Sequence, residues 1–187
     1  MSTDHAQSQG TRPHTGGLGV RVVLHEPEIP NNTGTIGRAC VAMGCPLDLI
    51  EPLGFSLDEK ALRRAGLDYW PRLAPAVHPS WEVFRRKFRA DQPEGGVWLL
   101  TTRASRPVYD ADIRPGDAIV LGKETAGLPD EVLRAHPDRC VCLPMLPGER
   151  SLNLACAAVA VMSEAARQCL ARGDRTLDDR GRLTIRG

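Results

Sequence analysis

Apolar positions along the chain alternate between short runs rich in β-branched residues and longer stretches with a helical period, so strands and helices are expected in turn. The run at 20–24 reads as a first strand. Pro27 and Pro30 stop it, because proline cannot continue regular pairing, and residues 25–34 read as a loop. A helical pattern over 35–43 places Ile36, Ala39, Cys40 and Met43 on one face with Arg38 near its edge, and Gly44 closes it. Residues 47–50 make a second strand and 51–54 a turn. Ser56 and Glu59 have capping-box spacing and open a short basic helix over 58–64, closed by Gly66. Residues 69–73 read as a strand. Ser80 then caps a helix over 81–89 that carries Trp81, Phe84 and Phe88 on one face and Arg85, Arg86, Lys87 and Arg89 on the other.

Strands over 97–101 and 117–121 follow, with an irregular stretch at 107–115 between them. The loop 122–129 leads into a short helix over 129–135, and the last strand spans 140–143. A turn with Pro147 and Gly148 then reaches Ser151, a preferred N-cap. Nine residues from Leu154 to Met162 carry no charge and no large polar group, which predicts a helix apolar all round, buried, and too short to span a bilayer. Its first turn, near Ser151 and Asn153, offers free N–H groups and a positive dipole end to a small polar ligand; an ordinary capped core helix is the alternative. The alternation as a whole argues an α/β fold, a mostly parallel sheet with flanking helices.

A chain of 187 residues that is 42% hydrophobic supports one domain with its own core, expected over 20–170. Residues 1–19 are polar and lack an apolar targeting run, so a disordered tail is expected there, and 171–187 form a polar, arginine-bearing tail. The 24 Lys and Arg against 23 acidic residues give no global field, so any RNA site is a local patch. Cys40, Cys45, Cys140, Cys142, Cys156 and Cys169 form no metal-ligand spacing with the histidines, which fits reduced, buried thiols in a cytoplasmic protein without a metal.

In a parallel sheet, ligands bind at the carboxyl ends of the strands. Three loops qualify: 26–34, 122–129 and 143–153. Gly122-Lys123 is followed by Glu124 where a P-loop needs Ser or Thr, and Gly17 and Gly19 precede the first strand instead of following it, so neither a P-loop nor a dinucleotide fingerprint exists. A glutamate in that position suits a cationic or hydroxyl-bearing ligand better than a polyphosphate.

E-P-E-I-P-N-N-T-G-T-I-G-R from Glu26, G-K-E-T-A-G-L-P from Gly122 and L-P-M-L-P-G-E-R-S-L-N from Leu143 resemble, in order, the three motifs of the SPOUT-class ribose 2′-O-methyltransferases. E-P-L-G-F from Glu51 and K-A-L-R-R-A-G-L-D-Y from Lys60 resemble the subfamily that methylates the wobble nucleotide of tRNA, cytidine or modified uridine. The resemblance implies a C-terminal trefoil knot, a homodimer, and S-adenosylmethionine held by Leu100, Gly122, Leu143 and Ser151 with Glu124, Met145 and Asn153 nearby. It also implies Arg38 as the catalytic candidate and Asn32 as the residue that fixes its loop. A guanidinium stays protonated, so Arg38 is expected to position a substrate phosphate or lower the hydroxyl pKa; a solvated helix arginine paired with a carboxylate is the alternative.

The tRNA partner would be held at its anticodon stem-loop by Arg63, Arg64, Arg85 and Arg86, each otherwise a solvated basic face. No separate RNA-binding domain is expected before Val20, so two subunits would combine their surfaces. Asn31 stands where many relatives carry proline. Methylation of another tRNA position or of ribosomal RNA, and a non-catalytic RNA-binding module, remain the alternatives.

Overall fold

The computed structural model describes residues 17–57 and 69–184 of the chain. Six strands, β1 (Arg21–His25), β2 (Leu47–Ile50), β3 (Ala76–His78), β4 (Val97–Leu100), β5 (Ala118–Leu121) and β6 (Cys140–Val141), form one sheet in the order β3-β2-β1-β5-β4-β6. Every pairing in it is parallel. The central strands β1 and β5 are apolar on both faces, because helices cover both sides of a parallel sheet. On one side α1 (Pro30–Met43), α2 (Trp70–Leu73) and α5 (Leu154–Arg172) bring Ile36, Cys40, Trp70, Ala158, Val161 and Met162 against Val22, Leu24, Leu49 and Ile119. On the other, α3 (Trp81–Asp91) and α4 (Asp130–Ala135) bring Phe84, Phe88 and Val132 against Val23, Ile50, Leu99 and Val120. Alternate residues of β1 thus serve opposite cores, as the pleat requires.

Several elements differ from the sequence reading, each for a local reason. The first helix begins at Pro30 rather than at 35, since proline at the first helical position gives up only an N–H that has no intrahelical partner. It ends at Gly44 in the left-handed conformation, φ 64°, as expected of a glycine C-cap. Residues 69–73, read as a strand, form the single-turn α2, whose Trp70 and Leu73 are buried against the core. The strand beside β2 is instead β3. Asn153, not Ser151, caps α5: its side-chain oxygen accepts from the backbone N–H groups of Ala155 and Cys156 at 2.9 and 3.2 Å.

The last helix is not buried all round. Val161, Ala165 and Cys169 are sealed in the core, while Cys156, Val159 and Ala160 face solvent. At 19 residues it is, contrary to the reading of its apolar run, long and apolar enough to cross a membrane, although here one side of it packs on the sheet. All six thiols are free, but only Cys40, Cys45 and Cys169 are buried. Burial pushes the Cys45 thiol up to about 12, which makes it chemically inert.

The folded unit extends past the expected limits at both ends. Leu18 is fully buried, and its N–H donates to the Met43 carbonyl at 2.8 Å. At the far end, β7 (Thr176–Leu177) and β8 (Leu183–Thr184) form a hairpin, and Arg175 Nε donates to the Gly17 carbonyl at 2.5 Å. The expected tail over 1–16 and the basic helix over 58–64, with Arg63 and Arg64, lie outside the described residues.

Candidate active site

From β1 the chain moves outward to β2 and β3, then crosses back to β4, adds β5 between β4 and β1, and ends on β6, so the connections leave β1 and β5 in opposite directions and the sheet reverses between them. Leu24 sits beside Leu121, and the loops leaving these two strands therefore meet. Lys123 Nζ donates to the Glu26 carboxylate at 2.9 Å. The backbone N–H and hydroxyl of Thr125 donate to the Glu28 carboxylate at 3.0 and 2.9 Å. These bonds hold Glu28 below the usual carboxylate range, and the Glu26 partner holds Lys123 above the usual ammonium range.

Glu124 completes the junction. Its carboxylate accepts from the backbone N–H groups of Glu28 and Ile29 at 2.9 and 3.3 Å and from Asn32 Nδ2 at 2.9 Å. The charge thus sits at the start of α1, where the helix leaves its first N–H groups free and its dipole is positive. Glu124 is expected from the sequence to suit a cationic or hydroxyl-bearing ligand; in the fold its oxygens accept from the first loop while it lines the cavity. Asn32, nearly buried, passes the connection on, since its Oδ1 accepts from Asn153 Nδ2 at 3.0 Å. Asn153 in turn caps α5. A chain of four groups, Glu124, Asn32, Asn153 and the α5 N-terminus, therefore ties all three candidate loops together.

Gly122 allows the middle loop to fold back on itself. A Cβ there would stand 2.1 Å from the Gly127 carbonyl carbon and 2.3 Å from the Leu128 nitrogen, so only glycine permits this approach.

The three loops enclose a cavity of about 790 Å³. Leu100, Leu121, Leu143, Leu154 and Ala157 supply apolar surface, and Thr101, Arg103, Lys123, Thr125, Arg150 and Ser151 supply hydrogen-bonding groups. Leu100, Gly122, Glu124, Leu143, Met145, Ser151 and Asn153 all line it, as does Asn32. Arg38 does not. It lies on the exposed side of α1, its guanidinium carbon 5.2 Å from the centre of the Tyr69 ring, while the Tyr69 hydroxyl donates to the Gly34 carbonyl. Six residues beyond Asn32, it is rotated by about 240° around the helix. Arg85 and Arg86 are on α3, across the sheet from α1 and α5.

Sequence reasoning missed Glu26, Glu28, Lys123 and Thr125 as loop fasteners, and Arg103 and Arg150 at the cavity. The pairing of β1 with β5 that makes partners of the first four leaves no local signal. An apolar floor under a rim of polar groups at a strand-order reversal is the geometry of an α/β protein that binds a nucleoside-sized molecule. Residues 19–163 match the SpoU rRNA Methylase family, and the chain belongs to that family.

Individual relatives narrow the comparison. A tRNA (cytidine(34)-2'-O)-methyltransferase from Saccharophagus degradans is 47% identical over 148 residues, covering 79% of this chain and 94% of the relative. A solved structure concerned with the 2-OH methylation of C/U34 on tRNA superposes with a TM-score of 0.74 at 40% identity, over 82% of this chain and 97% of that one. The SpoU methyltransferase AviRb from Streptomyces viridochromogenes, in complex with the cofactor AdoMet, superposes with a TM-score of 0.73 at 26% identity, over 91% of this chain and 64% of that one.

Proposed function

We propose that this protein is a ribose 2′-O-methyltransferase that uses S-adenosylmethionine to methylate the wobble nucleotide of tRNA, cytidine or modified uridine 34, and that it works in the cytoplasm as a homodimer gripping the anticodon stem-loop. The observation that carries the reading is the convergence of all three loops on one cavity in a chain 47% identical to a tRNA (cytidine(34)-2'-O)-methyltransferase.

The cavity fits the cofactor. Leu100, Leu121 and Leu143 would offer it apolar surface, the backbone of the close turn at Gly122 would offer hydrogen-bonding groups, and Thr101, Lys123 and Ser151 would hold its polar parts. When bound there, S-adenosylmethionine supplies an electrophilic methyl group on sulfur. Everything else falls to the chain. Glu124, Asn32 and Asn153 hold the three loops in one geometry, as in-line transfer demands. Arg38 holds a substrate phosphate or favours the ionised ribose hydroxyl, roles that suit a guanidinium better than that of a free base. The ring of Tyr69 lies under its guanidinium.

Arg38 faces away from the cavity of its own chain, which supports a second copy completing the site. The exposed Val159, Cys156 and Ala160 of α5 and the exposed Leu152 and Ile29 supply an apolar surface for that copy. A trefoil knot also suits the contacts at the end of the chain. The 106–113 segment is bonded by Cys142 on one side, and by Gln168 and Arg172 on the other.

The test is transfer of labelled methyl from S-adenosylmethionine to tRNA and ribosomal RNA pools, followed by nuclease digestion and mass mapping. Label in a 2′-O-methylated nucleotide 34, lost in Arg38→Ala, is the expected result. The family description favours ribosomal RNA as the second reading, and label confined to that pool would replace the substrate while keeping the reaction. Cofactor binding with no label in any RNA would leave a non-catalytic module.

A further inference from the structure

A second basic region starts at the edge of the cavity. Arg103 lines both the cavity and a neighbouring groove of about 620 Å³ that runs past Arg106 and Arg134 to Cys140. At the side of this groove, the guanidinium groups of Arg106 and Arg139 lie 5.2 and 4.8 Å from the centre of the Trp98 ring. Arg85 of α3 reaches the strip through Trp81, whose ring centre lies 5.6 Å from the Arg85 guanidinium carbon and 6.3 Å from the ring centre of the partly buried His136; Arg89 follows one turn along α3, and the Arg139 N–H donates to the His136 carbonyl at 3.0 Å. Burial first, and then the charges of Arg85, Arg139 and Arg89, hold that imidazole below the usual histidine range.

The two ends of this strip differ in how their charge is met. Near the cavity Arg103 and Arg134 share Asp130, at 2.5 and 3.8 Å, and Arg106 donates to the backbone carbonyls of Asp110 and Asp138. At the far end, among the described residues, Arg85, Arg86, Arg89 and Arg139 have no carboxylate within 4.0 Å. Arg85 rests instead 5.6 Å from the centre of the Trp81 ring, and Arg139 on Trp98, so flat apolar surfaces support the guanidinium groups and leave N–H donors for an outside anion.

We infer that Arg85, Arg89 and Arg139, with Arg86 at the margin, form a second RNA-contacting surface that binds backbone phosphates in the stem of the same RNA whose nucleotide enters the cavity. The inference rests on the reading of RNA as substrate. Phosphate rather than base is the target, because Trp98 is 3% exposed and lies beneath its arginines, where no base can stack on it. Continuity with the cavity through Arg103 favours one RNA molecule over a separate acidic protein. A duplex backbone, recognised by shape and charge, matches a surface of arginines without an exposed aromatic platform.

The experiment measures methyl transfer and fluorescence-anisotropy binding with stem-loops that share one loop and have stems of increasing length. In the wild-type protein KM should fall about tenfold as the stem grows to reach the surface, and the log KM against log salt slope should steepen. In Arg85→Gln/Arg89→Gln/Arg139→Gln that gain should vanish and the salt slope should drop by roughly 2, while the three lysine replacements recover most of both. Arg89→Glu alone, on the exposed side of α3, reports the same dependence should the triple variant fail to fold. A KM independent of stem length in the wild type, or the same fall in the glutamine variant, overturns the inference and turns the surface towards an acidic protein. Stem-dependent binding without methyl transfer to any of these RNAs would sink the proposed reaction and keep the surface.

Discussion

Gly122 and Glu124 show how much of the candidate site depends on single residues. The loop from β5 folds back so closely that Gly122 faces the Gly127 backbone, and an added methyl has no flexible neighbour to displace. Gly122→Ala is therefore expected to leave a folded protein whose affinity for S-adenosylmethionine is about tenfold lower or worse, since overpacking at fixed backbone typically costs 1–3 kcal/mol. Calorimetric titration beside a thermal melt separates that loss from global unfolding. The glycine was legible as a loop residue because the G-K-E-T-A-G-L-P stretch resembles a known motif. The reason for it was not, because the atoms it must avoid lie five and six residues further along and approach only in the folded turn. Glu124 is similar. Its bonds to the first loop are not legible in the sequence, because the donors it serves lie more than ninety residues away in the chain.

Among the elements, the clearest dependence is that of α5 on its cap. Asn153 satisfies two free N–H groups at the helix start and also donates to Asn32, so it joins helix stability to loop geometry. Asn153→Ala should cost about 1 kcal/mol through the cap. Its Tm should fall by about 2–4 °C. Asn153→Asp keeps the acceptor for the cap but removes the donor to Asn32, so it should recover the melting temperature and still bind cofactor weakly. Helix and strand periods identified β1, β2, β4, β5 and α3, whose buried faces follow local spacing. They misread 69–73, where a Tyr-Trp-Pro-Arg-Leu run looks strand-like until tertiary packing draws Trp70 and Leu73 into the core. The early start of α1 escaped them as well, because Pro30 reads equally as a loop breaker and as a first helical residue.

For the whole molecule, acidity is the condition to which the fold should respond first. His25, 5% exposed at the end of β1, has its pKa lowered by burial, and His136 likewise by burial and neighbouring arginines. Below the ordinary value of 6.5 the unfolded chain binds protons that the native protein resists, so stability is full above that pH and falls as pH drops towards the lowered native values. Melting temperature measured from pH 8 to 5 should decline below about 6.5, and His25→Gln/His136→Gln should flatten the decline. A slope unchanged in the double variant would assign acid sensitivity to the carboxylates instead. The ends of the folded unit are also a property of the whole. Gly17 and Arg175 meet across the molecule, and neither the polar N-terminus nor the arginine-bearing C-terminus announced that contact.

What the sequence by itself determined was local: apolar periods chose the element types, glycine and proline chose many of their ends, and three short motifs carried the resemblance to a methyltransferase family. Only the tertiary structure decided that Glu124 is bonded to the first loop, that Arg38 lies outside the cavity, and that three arginines with no carboxylate within 4.0 Å among the described residues gather beside His136. The reason is physical. Periodicity and capping act over a few residues and are written in neighbouring side chains, whereas the site is made by strands paired in an order that differs from their order along the chain.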